Sequence, residues 1–227
     1  MIKELSEDVE KAIMPKDPFS NNSYPDWESE KKILESAKSG DLDALGRIYD
    51  INVNRVYNYS LSKLANIQNA EDVTGEIFIK VVMGLDNYEY RKIPFAAWLM
   101  KIARNEVVSF IRRNNKWAHD GQLPDELVDN RNIDPSAIVE QSMMQEDLRT
   151  AIAKLPEAQR EVIILRFASG LSVSDTAKAL GKRENNTKVL QHKGLLRLQV
   201  LMSSKYPEIL KSNNRNFQYQ KPTVNNI

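Results

Sequence analysis

Residues 170–194 read GLSVSDTAKALGKRENNTKVLQHKG, two helical patterns with a single glycine between them. Ser172 or Ser174 can cap a helix whose inner face carries Ala177 and Leu180, because a serine hydroxyl accepts from an orphan amide of the first turn. Gly181 supplies the left-handed residue that ends this helix, and a second helix begins at once. A small residue at 177 lets two axes approach, so the spacing is that of a helix-turn-helix. Steps of about 100° per residue put Leu190, Gly194, Leu198 and Leu201 on one face of the second helix and Asn185, Lys188, Val189 and His192 on the other. Asn and Gln pair bidentately with adenine, Arg and Lys with guanine, and a helix N-terminus accepts a phosphate. Standing alone, the same pattern also fits an ordinary solvated helix face.

The charge distribution bears on that choice. The 227 residues carry a net +1, but the balance is uneven along the chain. Residues 118–147 hold one basic against eight acidic side chains (−7), and residues 148–211 hold twelve against five (+7). Residues 1–40 are at −3, 41–117 at +2 and 212–227 at +2. Two basic blocks separated by an acidic one suit a polyanionic partner. The chain has no cysteine, which excludes disulfides and thiolate metal sites. With two histidines, His119 and His192, a histidine metal site is not credible, and no nucleotide loop or nucleophile elbow occurs. The expectation is a non-enzyme without cofactor or metal. An acidic N-terminus and the absence of a long apolar run point to a cytoplasmic chain with no membrane insertion.

Working outward, apolar residues recur at three and four over 41–116 (Leu42, Leu45, Ile48; Val56, Leu61, Leu64; Val73, Ile77, Val81; Leu99, Ile102, Phe110), a helical period. Helices resume beyond residue 143, and no strand alternation is long enough for a sheet. Gly121, Pro124 and Pro135 punctuate the acidic stretch between. The expected fold is all-α: two small helical domains, 31–116 and 142–205, joined by an acidic flexible linker, 117–141. A flexible N-terminal extension, 1–30, and a flexible tail, 206–227, flank them.

LPEAQREVIILRFASGLSVSDTAKALG, residues 155–181, with Lys188 resembles region 4 of the sigma factors of bacterial RNA polymerase, of the extracytoplasmic-function group. The matching positions are Leu155, Pro156, Arg160, Val162, Leu165, Arg166, Gly170, Leu171, Ser172, Leu180, Gly181 and Lys188. The first domain resembles region 2 of the same family twice, through Ala70, Glu71, Asp72, Val73, Glu76, Ile77 and Phe78, and through Trp98, Leu99, Ile102, Ala103, Asn105, Arg112 and Arg113.

The resemblance implies a subunit that binds core RNA polymerase and promoter DNA, as duplex and as single strand, with an anti-sigma factor as a further candidate partner. It implies that Ala70, Glu71, Asp72, Val73, Glu76, Ile77 and Phe78 meet the polymerase clamp helices. Stacking and backbone contacts of the opened strand fall to Tyr88, Tyr90, Arg91, Lys92, Lys101, Arg104, Asn105, Ser109, Arg112 and Arg113, a mixture of aromatic, polar and cationic groups that suits unpaired bases. Arg183, Asn185, Asn186, Lys188, Gln191 and His192 are candidates for the upstream promoter box, with Arg160 and Arg166 on phosphates. Phe95 and Trp98 read as core. Gly75 and Ser109 depart from the family pattern, and Thr176, Lys182 and Thr187 stand where the family is often apolar, which softens the seal of the helix-turn-helix. The linker carboxylates Asp120, Asp125, Glu126, Asp129 and Asp134 are expected to shield the basic domains or occupy a basic channel. A stand-alone helix-turn-helix regulator, and a polymerase-binding protein without promoter recognition, remain alternatives.

Overall fold

The structure, a computed structural model, describes residues 27–90, 92–118 and 135–207, and every regular element among them is helical. In chain order these are α1 Trp27–Lys38, α2 Leu42–Leu64, α3 Ile67–Gly84, a 3₁₀ turn Leu85–Asn87 and α4 Phe95–Ala118. Then follow α5 Pro135–Ala153, α6 Glu157–Ile163, a π-helical turn Ile164–Ala168, α7 Val173–Leu180 and α8 Glu184–Ser203. No described helix is long and apolar enough to cross a membrane.

Local chemistry sets the helix ends. Asp41 caps α2 by accepting from the amides of Asp43 and Ala44, at 3.0 and 3.3 Å, which satisfies donors the helix itself cannot. Ala65 ends α2 in the left-handed region, φ 51°, and Asn66 at once caps α3 through the Asn69 amide at 2.8 Å. This tight turn folds α2 and α3 into a hairpin, and α4 closes a core of Leu34, Ile48, Val56, Tyr59, Val73, Ile77, Phe95, Leu99 and Val107.

Helix α1 starts at Trp27 rather than at the expected boundary of 31. Glu28 and Glu30 lie in its first turn, where carboxylates favour the positive end of the helix. Leu34 and Ala37 then anchor it in the core. The expected linker is also shorter, because α5 takes up residues 135–141. Residues 119–134, with the five linker carboxylates, lie outside the described residues, as do 1–26 and 208–227. Tyr206, expected to open the tail, is tied back by its hydroxyl, which donates to Asp147 at 3.0 Å.

The helix-turn-helix is present. Ser172 caps α7 by accepting from the Asp175 amide at 3.0 Å, and Gly181 closes it at φ 62°. The register of α8 differs from the expected one: Thr187, Gln191, Gly194, Leu195, Leu198 and Met202 are buried, while Leu201 is exposed. Gly194 lies against α6, where a Cβ would come within 2.9 Å of Ile163 Cγ1. That close crossing turns α8 relative to the face the spacing suggests.

Val162, Ile163, Ile164 and Leu165 are each at most 1% exposed, so the end of α6 and the start of the π turn are covered on all sides. Ile163 and Phe167 pack with Leu148, Leu155, Leu195 and Leu198 in the second domain. Ile164, Leu165, Ala168 and Leu171 join the core of the first. Ile163 and Phe167 share one face of the helix, while Ile164 and Ala168 lie roughly a quarter-turn round from them, so successive residues address two cores.

Candidate polymerase- and DNA-contacting surfaces

On α3 the seven candidate residues divide by burial. Ala70, Val73 and Ile77 are 0% exposed and Phe78 is buried against Tyr49, with ring centroids 4.7 Å apart. These four hold the helix in the core and are not offered at the surface of this structure, unlike the expectation for them. Glu71, Asp72 and Glu76 are exposed. Further along the outward face lie Ile79, Val82 and Met83, at 62%, 51% and 76% exposure. Asp72, Glu76, Ile79 and Met83 follow the four-three-four spacing of one helical stripe. The sequence reading missed its apolar half, although residues 79, 82 and 83 are apolar positions outside the inward-facing set.

The loop after α3 is built around Tyr88, which is 2% exposed. Its ring packs on Trp98 at 4.9 Å and on Phe95 at 5.5 Å. Burial, before any neighbouring charge, raises the pKa of its phenol, so the hydroxyl stays protonated and donates to the Ile93 carbonyl at 2.8 Å. Lys38 donates to the Tyr88 carbonyl. Tyr88 is therefore a structural post and not an offered stacking ring, a second correction. Phe95, 1% exposed, is core as expected. Tyr90 is half-buried, its hydroxyl donating to Glu30 at 3.3 Å, while Lys92 is exposed beside Glu89 at 2.8 Å. Arg91 lies outside the described residues.

Along α4, Lys101, Asn105 and Arg112 are exposed on one stripe and Ser109 is half-buried beside it. Arg113 is engaged, donating to Glu76 at 3.1 Å and to Glu106 at 3.3 Å. Burial would raise the Glu106 pKa, but hydrogen bonds and charge from Lys80, with Arg113 adding to them, outweigh it and hold it below the usual carboxylate value. Arg104 faces the second domain, its Nε 3.4 Å from Glu161 Oε2.

On α8, Arg183, Asn185, Asn186, Lys188 and His192 are all exposed toward its N-terminal half, the part of a recognition helix that meets base edges. Residues 48–117 match the family Sigma-70 region 2, and residues 145–198 match Sigma-70, region 4. The sigma factor SigD of Mycobacterium tuberculosis, of the ECF (extracytoplasmic-function) type, is 30% identical over 74% of this chain and 81% of its own. This chain belongs to the ECF RNA polymerase sigma factors.

Its family role is promoter-specific initiation of transcription with RNA polymerase, a role of binding and not of bond-making. BldN of Streptomyces coelicolor, also an ECF sigma factor, is 32% identical over 75% of this chain, which spans 65% of that protein. SigW of Bacillus subtilis is 29% identical over 72% of this chain and 91% of its own. Among solved structures, the sigma factor RpoE of Bartonella quintana, in complex with the anti-sigma factor NepR, superposes with a TM-score of 0.56. It shares 26% identity and covers 70% of this chain and 96% of its own. CnrH, solved in complex with the cytosolic domain of CnrY, shares the fold, at TM-score 0.59 and 20% identity, over 77% of this chain and 97% of that one.

Three region 4 candidates turn inward. Gln191 is buried, its Oε1 accepting from Arg166 Nε at 3.2 Å. Arg166 also donates to the Leu171 carbonyl, so it braces the π turn against the recognition helix. Arg160 donates to the Ala153 carbonyl at 3.0 Å and pairs with Glu157, which ties α6 to the end of α5. The tight crossing at Gly194 sets the register that hides Gln191. Arg160 and Arg166 are held by carbonyl acceptors seven and five positions away, contacts set by how the chain turns at the ends of α5 and the π turn, which motif reading cannot supply.

Proposed function

We propose that this sigma factor presents three separate surfaces to the transcription machinery. The outward stripe of α3, with Glu71, Asp72 and Glu76 leading into Ile79, Val82 and Met83, is the polymerase-docking face. Its acidic end meets basic side chains, and its apolar end supplies buried area, the usual division between a charged rim and an apolar centre. Lys101, Asn105 and Arg112 on α4, with Lys92 and Tyr90 at the loop, contact the opened downstream promoter strand. Arg183, Asn185, Asn186, Lys188 and His192 read the upstream promoter box in duplex form. Asn185 and Lys188 are placed for base edges, and Arg183, at the helix start, for a phosphate.

The observation that carries this reading is the pair of matches, region 2 ahead of region 4, combined with exposed polar and cationic side chains on α4 and α8. As the related RpoE is solved with an anti-sigma factor, a protein of that kind is a proposed partner here too, and a cytoplasmic location follows from the proposed role.

Run-off transcription with purified core polymerase tests it. The chain is expected to start transcripts at defined genomic promoters. Ile79→Glu with Met83→Glu should lower core binding while leaving free duplex binding unchanged, and Asn185→Ala should change promoter preference. Absence of any defined start site would overturn the reading.

A further inference from the structure

A buried carboxylate at the junction of regions 2 and 4 has no role in any of these three surfaces. Glu161, on α6 of region 4, is 3% exposed in a run of residues that is otherwise apolar, Val162 to Leu165. It is held entirely by region 2: Lys63 pairs with it, Tyr59 donates to it at 3.2 Å, and Arg104 Nε lies 3.4 Å away. Nearby, Arg55 Nε donates to the Ser169 carbonyl at 3.0 Å, again across the two regions. Desolvating such a carboxylate costs free energy that its ion pairs only repay, and an apolar side chain of similar size would often serve stability as well. Stability alone therefore gives no reason for a charge at 161.

We infer that Lys63, Tyr59 and Arg104 form a phosphate-binding site of region 2, which the Glu161 carboxylate fills when regions 2 and 4 are packed together. Two cations and a phenolic donor converging on one oxyanion make the donor set that recognises a nucleic-acid phosphodiester. Burial, above all, and the neighbouring Glu161 raise the Tyr59 pKa, which keeps it a donor. Arg104 lies one residue from Asn105 and one turn from Lys101, so the site continues the α4 stripe toward α2. It extends the strand-contacting surface proposed above and depends on that surface being one. In the closed arrangement α7 of the helix-turn-helix also packs on α4. Interdomain contact and strand contact thus compete for the same donors, and region 2 of the free chain is held off a single strand until the regions separate.

The test uses the full chain without polymerase. Since the protein has no cysteine, Gln68→Cys and Ser204→Cys accept a donor and acceptor dye, one on each region. A fluorescein-labelled mixed-sequence single strand of about 20 nucleotides reports phosphate binding by polarisation. Glu161→Gln is expected to lower energy transfer and to tighten strand binding about tenfold, as the competent open form becomes populated. Lys63→Ala added to Glu161→Gln should weaken that binding again without restoring energy transfer. Should Glu161→Gln fail to fold, the pair Lys63→Glu and Lys63→Glu/Glu161→Lys replaces it: the single change should open the chain and the double change close it. A folded Glu161→Gln that neither opens nor binds tighter, an opened chain indifferent to Lys63→Ala, or a Lys63→Glu variant that stays closed would each overturn the inference. Loss of run-off transcription with these outcomes intact would instead overturn the proposed function.

Discussion

Thr176, in the first helix of the helix-turn-helix, offers a substitution that should stabilise the protein. It is 0% exposed, and its Oγ1 has no hydrogen-bond partner. A buried hydroxyl without a partner forfeits about 1–3 kcal/mol of hydration. Thr176→Val keeps the branched shape, exchanges the hydroxyl for a methyl and costs nothing in helix propensity, where the two residues rank together. The expected gain is about 1–2 kcal/mol, from the lower part of that range because the unfolded chain also hydrates Thr imperfectly. For a chain of this size each kcal/mol raises Tm by about 2–4 °C. Thr187→Val is the internal control, because Thr187, also 0% exposed, donates to the Arg183 carbonyl at 3.3 Å. Removing a satisfied hydroxyl should give a change near zero. Urea and thermal unfolding followed by circular dichroism measure both. Thr176→Val equal to or less stable than the parent, or Thr187→Val gaining as much, would refute the account of an unsatisfied hydroxyl in the seam. Duplex binding should be unaffected, as neither side chain faces outward.

Three further outcomes follow from other sites. Gly194→Ala should be net destabilising by about 0–2 kcal/mol in urea unfolding, since overpacking costs about 1–3 kcal/mol against a helix gain near 1. Adding Ile163→Val, which removes Cδ1, should relieve part of that cost. Glu106, whose folded pKa is lowered, contributes stability above its unfolded value of about 4.3 that is lost as pH falls through the folded value. Glu106→Gln should therefore remove about 1–2 kcal/mol at neutral pH, discounted because Lys80 is half-exposed, and flatten the acid limb of a pH–stability curve. Arg183→Ala should reduce the salt-dependence slope of duplex binding by about one, whereas Asn185→Ala and Lys188→Ala should each cost about 1–3 kcal/mol at particular base pairs only, both read by fluorescence polarisation.

What the sequence disclosed was governed by short-range chemistry. Ser172 and Gly181 signal helix ends because a serine cap satisfies amides within three residues of itself and glycine alone takes a left-handed φ at little cost, and both lie where such signals place them. The outward residues of α8 were legible for the same reason, since Arg183, Asn185 and Lys188 sit just past a turn that glycine fixes. Tyr88 was misread because an aromatic residue in a polar loop has the same one-letter appearance whether it stacks on a base or on Trp98. Burial of Gln191 was hidden because the register of α8 is set by how closely Gly194 lets it approach Ile163, a contact 31 positions away along the chain. Thr176 and Thr187 looked alike as parts of a softened seam, and Gln191 looked like a base-reading side chain. In the structure they differ: Gln191 meets Arg166, Thr187 meets its own helix, and Thr176 meets nothing.

The least legible part is also the one with most consequence. Residues 161–165, EVIIL, carry no more than a helical pattern, because a single sequence shows one helix and gives no sign of two cores pressed against it. Adjacent residues lie roughly a quarter-turn apart around the helix axis, so Ile163 and Phe167 stay with region 4 while Ile164, Leu165 and Ala168 enter region 2. Glu161 is carried into the same junction and meets Lys63, Tyr59 and Arg104 there. Separation of the regions would uncover those apolar side chains and release these donors together. An apolar surface newly exposed needs a cover, and a cationic site newly emptied needs an anion. Core polymerase and promoter DNA, bound at once, are the pair of partners that answers both needs, which ties opening of the chain to the complex in which it works.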